Sequence, residues 1–279
     1  MTTRQVDDER NPDDYTGDQS QGPGPEEISM RRGIVAGLVI AGLLCALAGR
    51  GSPPAAQPTQ PAGPGPLPAP GVRIGPDDVV VEDWQTGPLG QMGVPPGWEG
   101  QTWGKTSAFA VSVVLDEGQR VLRLESHNDR ATITRDLHGR VSLARTPILR
   151  WRWKVIAAPA GGDARRRETA DQAAQVYVTW PRPPALLRSR IIGYAWDTTA
   201  PAGSTFRSEK TGTVTYIILR SGTAEVGRWL EERRDVRADF RAIYGEDPPD
   251  PGAITLSIDS NDTHTRAESL IGPLRFSPS

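Results

Sequence analysis

Alternation of apolar and polar residues is the dominant pattern of the chain from residue 77 onward. Ten short runs rich in β-branched and aromatic residues show it, and glycine, proline, asparagine or aspartate separates most of them. A period of two puts successive side chains on opposite faces of a strand, so each run predicts a β-strand. Together they predict an all-β fold, an antiparallel β-sandwich or jelly roll. The runs are VVVEDW, FAVSVVL, QRVLRLES, RATITRDL, ILRWRWKV, QVYVTW, RIIGYAWD, TVTYIILR, AITLSID and ESLIGPLRF.

The run ILRWRWKV, residues 148–155, shows how the alternation divides the side chains. Trp151 and Trp153 share one face and the basic residues share the other. An apolar alternating face is normally the buried one, so both tryptophans are predicted to belong to the structural core. The alternative is a platform of exposed tryptophans on which sugar rings pack. The other candidates for such contacts are Trp84, Trp98, Trp103, Trp180, Trp196 and Trp229, of which those near turns or strand ends are better placed to be exposed.

One short helix is predicted over residues 236–244. Asp235 precedes it as a capping residue, and Gly245 follows it as a terminating residue. Phe240 lies on its apolar face and is predicted to join the core.

An uncharged segment precedes the β region. Residues 33–49 carry no charge and follow Arg31 and Arg32. Their length lies between that of a signal-peptide core and that of the shortest membrane span, so residues 30–50 are interpreted as a transmembrane helix or a signal peptide. Either places the following domain in the cell envelope. It is then anchored in the inner membrane through residues 33–49, or periplasmic or secreted after cleavage, with the basic flank on the cytoplasmic side.

Composition divides the remaining chain into three parts. Residues 1–29 carry eight acidic and two basic side chains without apolar periodicity, which predicts disorder. Residues 51–76 are rich in proline, alanine and glycine and predict an extended linker. Residues 77–279 form the β domain. There acidic and basic residues balance, which excludes a broad basic surface for nucleic acid.

The chain contains a single cysteine, Cys45, which lies in the uncharged segment. The exported part therefore has no cysteine for a disulfide or for a cysteine-ligated metal site. Its stability must come from an apolar core.

The stretch SIDSNDTHTRAESLIG, residues 257–272, is crowded with side-chain oxygens. It fails the calcium-loop pattern of an EF-hand, because His264 stands where glycine is required. The favoured interpretation is a hairpin turn between the last two strands, in which Asp259 accepts backbone N–H bonds and so has a lowered pKa. The alternative is a ligand or calcium site that uses Asp259, Asp262 or Glu268; no other cofactor or metal is expected.

Enzyme signatures are mostly absent. The chain has no G-x-S-x-G, H-E-x-x-H or C-x-x-C motif, and GQTWGKT, residues 100–106, is one residue short of a phosphate loop. Catalysis by a carboxylate pair would need Asp259 and a second acid close to it. The candidates for that second acid are Asp197, Asp239 and Glu125.

Five blocks make the chain similar to a known family. They are PILRWRWKV, DQAAQVYV, IIGYAWD, WLEERRDVRADFRAIYGEDPP and ITLSIDSNDTHTRAESLIG. The chain resembles the bacterial domain of unknown function 3047 from about Trp84 to Phe276. The resemblance implies an exported β-sandwich without established activity, and the strand pattern is similar to galactose-binding-like and carbohydrate-binding jelly rolls. In the family an arginine usually precedes the VYV segment, whereas this chain has Gln175; if that arginine pairs with an acid, the pair is lost here.

These observations predict a module that binds a glycan or another cell-envelope component without catalysis. The alternatives are a glycan-acting hydrolase with an acidic pair around Asp259, and a protein–protein module of an envelope assembly. The candidate ligand-binding residues are Trp103, Trp196, Asp197, Asp259, Asp262 and Glu268.

Overall fold

The computed structural model describes residues 74–102 and 111–278. Within these ranges the strands form two seven-stranded sheets. The first sheet contains β1 (Val79–Glu82), β3 (Val111–Asp116), β4 (Gln119–His127), β6 (Ile148–Ala157), β11 (Leu230–Asp235), β13 (Arg266–Ile271) and β14 (Leu274–Ser277). The second sheet contains β2 (Glu99–Thr102), β5 (Arg130–Asp136), β7 (Ala174–Trp180), β8 (Arg190–Asp197), β9 (Thr205–Arg207), β10 (Val214–Ser221) and β12 (Ala253–Asp259).

The strand order confirms the predicted antiparallel sandwich with one exception. The first sheet runs β1-β14-β6-β13-β4-β3, with β11 also paired to β6, and the second runs β2-β5-β12-β7-β8-β10-β9. Among the pairs in the described ranges, only β8 and β10 are parallel. All ten predicted runs contain strands.

The last predicted run is interrupted. Ile271 on β13 pairs with Trp153, and Arg275 on β14 pairs with Arg150, so the two strands follow one another along the same edge of β6. Between them Gly272 donates its N–H to the carbonyl of Arg152 at 2.9 Å. A Cβ on that glycine would lie 2.6 Å from the Arg152 side chain, which explains why a residue without a side chain stands at the break.

The core lies between the sheets and is rich in aromatic rings. Trp151 and Trp153 are buried, at 3% and 0% exposure, as the alternation predicts. Trp151 packs on Tyr194 of the opposite sheet with ring centroids 5.6 Å apart, and Trp153 packs on Trp196 at 6.3 Å. The predicted platform of exposed tryptophans is therefore wrong for this strand.

The predicted helix is present as α2 (Val236–Tyr244), after a single turn, α1 (Ala185–Arg188). Asp235 accepts the N–H of Ala238 at 2.9 Å, and Gly245 ends the helix with a φ of 73°, a conformation that favours glycine. Phe240 is fully buried and contacts Trp180 at 4.6 Å between centroids, which packs α2 against the core.

The predicted hairpin at residues 257–276 is wrong. Strand β12 pairs with β5 and β7 in the second sheet, whereas β13 pairs with β4 and β6 in the first. Residues 260–265 therefore cross from one sheet to the other. The turn-forming side chains predict a chain reversal but contain no information on which sheet the next strand joins.

No helix in the described ranges is long and apolar enough to cross a membrane. Residues 33–49, on which the predicted span falls, lie outside those ranges, as do residues 1–29 and the linker up to residue 73.

Candidate functional site

A polar cleft lies on the face of the second sheet that points away from the core. Tyr177 and Thr179 of β7 face this side, whereas the alternating Val176 and Val178 face the core. The cleft residues come mainly from β5, β7, β10 and β12 and from the segment before β10. They are Arg130, Thr132, Thr134, Ala170, Tyr177, Thr179, Ile191, Ser208, Lys210, Thr211, Val214, Tyr216, Thr255, Ser257 and Asp259.

Hydroxyl groups cover the floor of the cleft. Thr134 and Thr255 are directly opposed on β5 and β12, and their hydroxyl oxygens are 2.9 Å apart; those of Thr132 and Ser257 are 3.2 Å apart. The hydroxyl of Thr179 is buried and has no hydrogen-bond partner among the described residues. A buried polar group without a partner is costly, so a bound molecule that satisfies it gains affinity.

Two tyrosines stand beside this floor. Tyr177 and Tyr216 have ring centroids 6.1 Å apart and hydroxyl oxygens 2.9 Å apart. Gly193 lies between them in register on β8, and a Cβ there would come within 2.8 Å of the Tyr177 ring and 3.0 Å of the Tyr216 ring. The glycine therefore gives the two rings the room to lean together.

A buried chain of hydrogen bonds leads from the tyrosines to Asp259. The Tyr177 hydroxyl donates to the Gln175 side-chain oxygen, and Gln175 Nε2 donates to Asp259 Oδ1 at 2.7 Å. The backbone N–H of Gln172 donates to the same oxygen at 2.6 Å. Gln175, at the position where the family resemblance places an arginine, thus contacts an acid, but as a neutral hydrogen-bond donor.

The structure reverses the predicted direction of the Asp259 pKa. Burial, followed by the nearby charge of Asp171, raises the pKa of Asp259 to about 8, against the Gln172 N–H and the charges of Lys210 and Arg130, which lower it. Asp259 is thus a candidate proton-carrying group at neutral pH, at one end of the cleft.

An ion pair closes that end. Lys210 lines the cleft and pairs with Asp262, which lies on the crossing segment between the sheets. The structure therefore brings Asp259 and Asp262 to the same end, with Lys210 near both. The enclosed volume is about 60 Å³, which is room for about two water molecules.

Asp171 holds the crossing segment, and the sequence did not indicate it. Its carboxylate accepts the N–H of Asp262 at 3.1 Å and both the N–H and the hydroxyl of Thr263, at 2.6 and 2.7 Å. These contacts join residues about 90 positions apart in the chain, so no local motif reveals them.

The predictions for Trp196 and Asp197 as ligand residues are wrong. Trp196 is 1% exposed and its ring packs in the core against Trp153. Asp197 is fully buried, and its carboxylate accepts three backbone N–H groups, each within 2.8 Å. Their donors are Ala164, Thr199 and Ala200.

Glu268 does not join the site either. It lies on β13 of the first sheet, where it pairs with Arg266 and, at 2.8 Å, with Arg123. Because β12 and β13 belong to different sheets, the carboxylates of Asp259 and Glu268 do not converge on one ion. Within residues 74–102 and 111–278, no group of three or more metal-ligating side chains could hold a metal ion. Trp103 lies outside these ranges.

The three acids expected as candidates for a catalytic pair each have other partners. Glu125 lies on β4 in the first sheet and pairs with Arg123. Asp239 lies on α2, where it pairs with Arg234 and accepts the Tyr194 hydroxyl. The three N–H bonds of Asp197 leave that carboxylate occupied.

Comparison with solved structures finds distant likenesses. One is the family 11 carbohydrate-binding module of the cellulosomal cellulase Lic26A-Cel5E of Clostridium thermocellum, at 7% identity, covering 75% of this chain and 97% of that one, with a TM-score of 0.40. Another is the xyloglucanase domain of NopAA, a type three effector from Sinorhizobium fredii, at 11% identity, 68% and 96% coverage and a TM-score of 0.37. A third is the family 11 xylanase from Neocallimastix patriciarum, at 11% identity, 67% and 91% coverage and a TM-score of 0.33. Likenesses this distant assign no activity to the chain.

Comparison with protein families identifies a relationship. No curated protein matches the sequence. A family model described as a protein of unknown function matches residues 96–275, which confirms the resemblance carried by the five sequence blocks. Since the match covers more than half of its length, the chain belongs to the DUF3047 family of proteins of unknown function.

Proposed function

We propose that the cleft of the second sheet binds a saccharide without chemically changing it. The observation that carries the proposal is the Thr179 hydroxyl, buried in the cleft wall without a hydrogen-bond partner among the described residues. A sugar presents hydroxyl groups that both donate and accept hydrogen bonds, and the floor of the cleft is made of groups of the same kind.

The two tyrosines support the same class of ligand. A sugar ring has an apolar face as well as hydroxyl groups, and a tyrosine offers an apolar ring with a polar tip. Tyr177 is half-buried and Tyr216 is 7% exposed, so their rings border the cleft and do not form an open platform. A pocket with convergent polar groups beside aromatic walls is the usual form of a small-ligand site.

The hydrogen bonds that the carboxylates already make favour binding over hydrolysis. The raised pKa of Asp259 suits a general acid, but glycoside hydrolysis also needs a second carboxylate about 5–10 Å away. Asp171 is the acid whose charge acts on Asp259, and its oxygens are occupied by the N–H groups of the crossing segment. Asp259 is therefore assigned a positioning role through Gln175.

Ligand entry requires a wall of the cleft to move. A cavity of about 60 Å³ is too small for a sugar ring, and the segment that contributes Ser208, Lys210 and Thr211 forms one of its walls. The pair between Lys210 and Asp262 fastens this segment, so the ammonium group of Lys210 must leave that carboxylate when the segment moves.

The substitution Thr179→Val tests the proposal. It removes a hydroxyl that has no partner, so the melting temperature should stay the same or rise, whereas the hydrogen bond to the saccharide is lost. A bond of about 0.5–1.5 kcal/mol corresponds to a Kd roughly two- to twelvefold weaker. Full-length protein is run in native gels containing soluble cell-envelope polysaccharide, β-glucan, mannan or xylan, and the retarding polysaccharide is then titrated by calorimetry.

Ser269→Ala is the matched control. Its hydroxyl is also buried without a partner among the described residues, but it lies in the first sheet, away from the cleft. This variant should keep both the melting temperature and the affinity. Equal affinity of Thr179→Val and the parent protein, or retardation by none of the polysaccharides, would contradict the proposal.

We also propose that the β domain lies in the cell envelope. The uncharged segment 33–49 behind Arg31 and Arg32, and the proline-rich linker that follows it, support export. In that compartment the domain would meet envelope glycans, which are the expected saccharides.

A further inference from the structure

A second groove lies where α2 meets the ends of β8, β9 and β10. Its volume is about 740 Å³, far larger than the cleft. Its lining includes Leu187, Arg188, Arg207, Asp239, Ile243 and Tyr244.

Strand β10 separates this groove from the cleft. Val214 and Tyr216 line the cleft, and the alternating Thr215 and Ile217 line the groove. Because successive side chains of a strand point to opposite faces, the two sites lie on opposite sides of the second sheet. They can therefore be occupied and tested independently.

Positive charge exceeds negative charge along the groove. Four arginines line it, and Asp239 is the only carboxylate among the lining residues described. Arg234 pairs with that aspartate, and Arg190 pairs with Glu246 while its guanidinium stacks 4.6 Å from the centroid of Tyr244.

The other two arginines have no carboxylate partner within the described ranges. Arg188 donates to the carbonyl of Pro183 at 3.3 Å, and Arg207 donates to the carbonyl of Gly212. Both side chains are exposed. A carbonyl does not neutralise a guanidinium, so each arginine keeps its charge and further N–H donors for an anion.

The groove also has apolar walls. Leu187 is 78% exposed beside Arg188, a large apolar surface for a residue in water. Ile243 and Tyr244 of α2 also line the groove. The groove thus combines an apolar surface with two arginines that have no carboxylate partner within the described ranges.

We propose that this groove binds an amphiphile that carries a phosphate group. Arg188 and Arg207 hold the phosphate, because the planar guanidinium presents two parallel N–H donors that match its oxygens. Leu187, Ile243 and Tyr244 hold the apolar part. On the strand spacing, Arg207 lies roughly 10 Å from Ile192, its register partner across β10, and Arg188 precedes Ile192 by four residues, so one headgroup can lie between two extended arginine side chains.

Calorimetric titration of the full-length protein with dodecyl phosphate, below the concentration at which it forms micelles, tests the assignment. Dodecyl maltoside has the same alkyl chain without a charge, and inorganic phosphate has the charge without the chain. We expect dodecyl phosphate to bind at least tenfold more tightly than either. If the maltoside binds as tightly as dodecyl phosphate, the arginines do not contribute to binding. If inorganic phosphate binds as tightly, the apolar walls do not contribute. Either result overturns the proposal.

Variants locate the site. Arg188→Gln and Arg207→Gln should each weaken dodecyl phosphate binding on the order of tenfold, since each loses a charged hydrogen bond. Arg228→Gln is the control, because that arginine is exposed and has no carboxylate partner in the described ranges but lies outside the groove. Unchanged melting temperatures establish that the three variants are folded. Equal weakening in Arg228→Gln, or none in the two groove variants, would place the binding elsewhere.

Discussion

At the scale of single residues, the protonation of Asp259 links the cleft to pH. Its pKa rises from 3.8 to about 8 on folding, so between these values the folded state binds a proton that the unfolded state has lost. This contribution to stability is fully present below pH 3.8 and is lost as pH rises toward 8, at a slope of at most about 1.4 kcal/mol per pH unit. The direction is opposite to that predicted from the sequence, where backbone donors alone were expected to lower the pKa.

The substitution Asp259→Asn checks this effect. The amide oxygen can accept the same two N–H bonds, from Gln172 and Gln175, but the side chain does not titrate. From pH 5 to pH 8 the free energy of unfolding of the parent protein should therefore fall relative to that of the variant. Denaturant unfolding at four pH values measures the difference, and groups common to both proteins cancel. If the pH profiles of the parent protein and the variant are parallel, Asp259 is ionised in the folded protein throughout this pH range.

The same residues mark what a sequence can predict about the site. That Asp259 and Asp262 belong to one polar end follows from their proximity in the chain. The contacts of Asp259 with Gln172 and Gln175 span more than 80 residues, and those of Asp171 with Thr263 span more than 90. Burial depends on these long-range contacts, and burial is the largest cause of the raised pKa, so neither was predictable.

At the scale of elements, the alternation predicted ten strand-forming runs and missed β2, β9 and β11. Within the described part of the chain each missed strand pairs with one neighbour, β5, β10 and β6 respectively. An edge strand is open to water on one side and often carries polar residues, as LEERRD in β11 does, so its apolar signal is weak. Helix α2 was predictable to the residue because Asp235 and Gly245 act on their own backbone.

Strand β6 pairs with three strands of the first sheet and also contacts the second sheet through its side chains. It pairs with β11 along one edge and with β13 and β14 along the other, while its tryptophans reach across to β8. Trp153→Ala removes a fully buried ring, so the free energy of unfolding should fall by about 3–5 kcal/mol.

Trp229→Ala is the comparison for that change. Trp229 is half-buried and lies outside the core between the sheets, packed against the guanidinium of Arg152 at 4.3 Å, so its loss should cost less. Denaturant unfolding of both variants gives the two values. A Trp153→Ala protein as stable as the parent would mean that the ring does not support the packing between the sheets.

At the scale of the whole molecule, the proposals for the cleft and for the envelope depend on one another. A saccharide site serves an envelope protein only if the β domain is on the outer side of the membrane. Composition supports this orientation through Arg31 and Arg32, which favour the cytoplasmic side, and through the uncharged residues 33–49 after them.

A pair of reporter fusions tests the orientation. Alkaline phosphatase is active only outside the cytoplasm, so fusion after Ser279 should be active, and fusion after Ser29, ahead of the uncharged segment, should not. β-Galactosidase, which is active only in the cytoplasm, should give the reverse result at both positions. The Ser29 fusion is the matched control, because it shares the first 29 residues and lacks residues 33–49. An active β-galactosidase together with an inactive phosphatase after Ser279 would place the β domain in the cytoplasm, and the saccharide would then have to be an intracellular one.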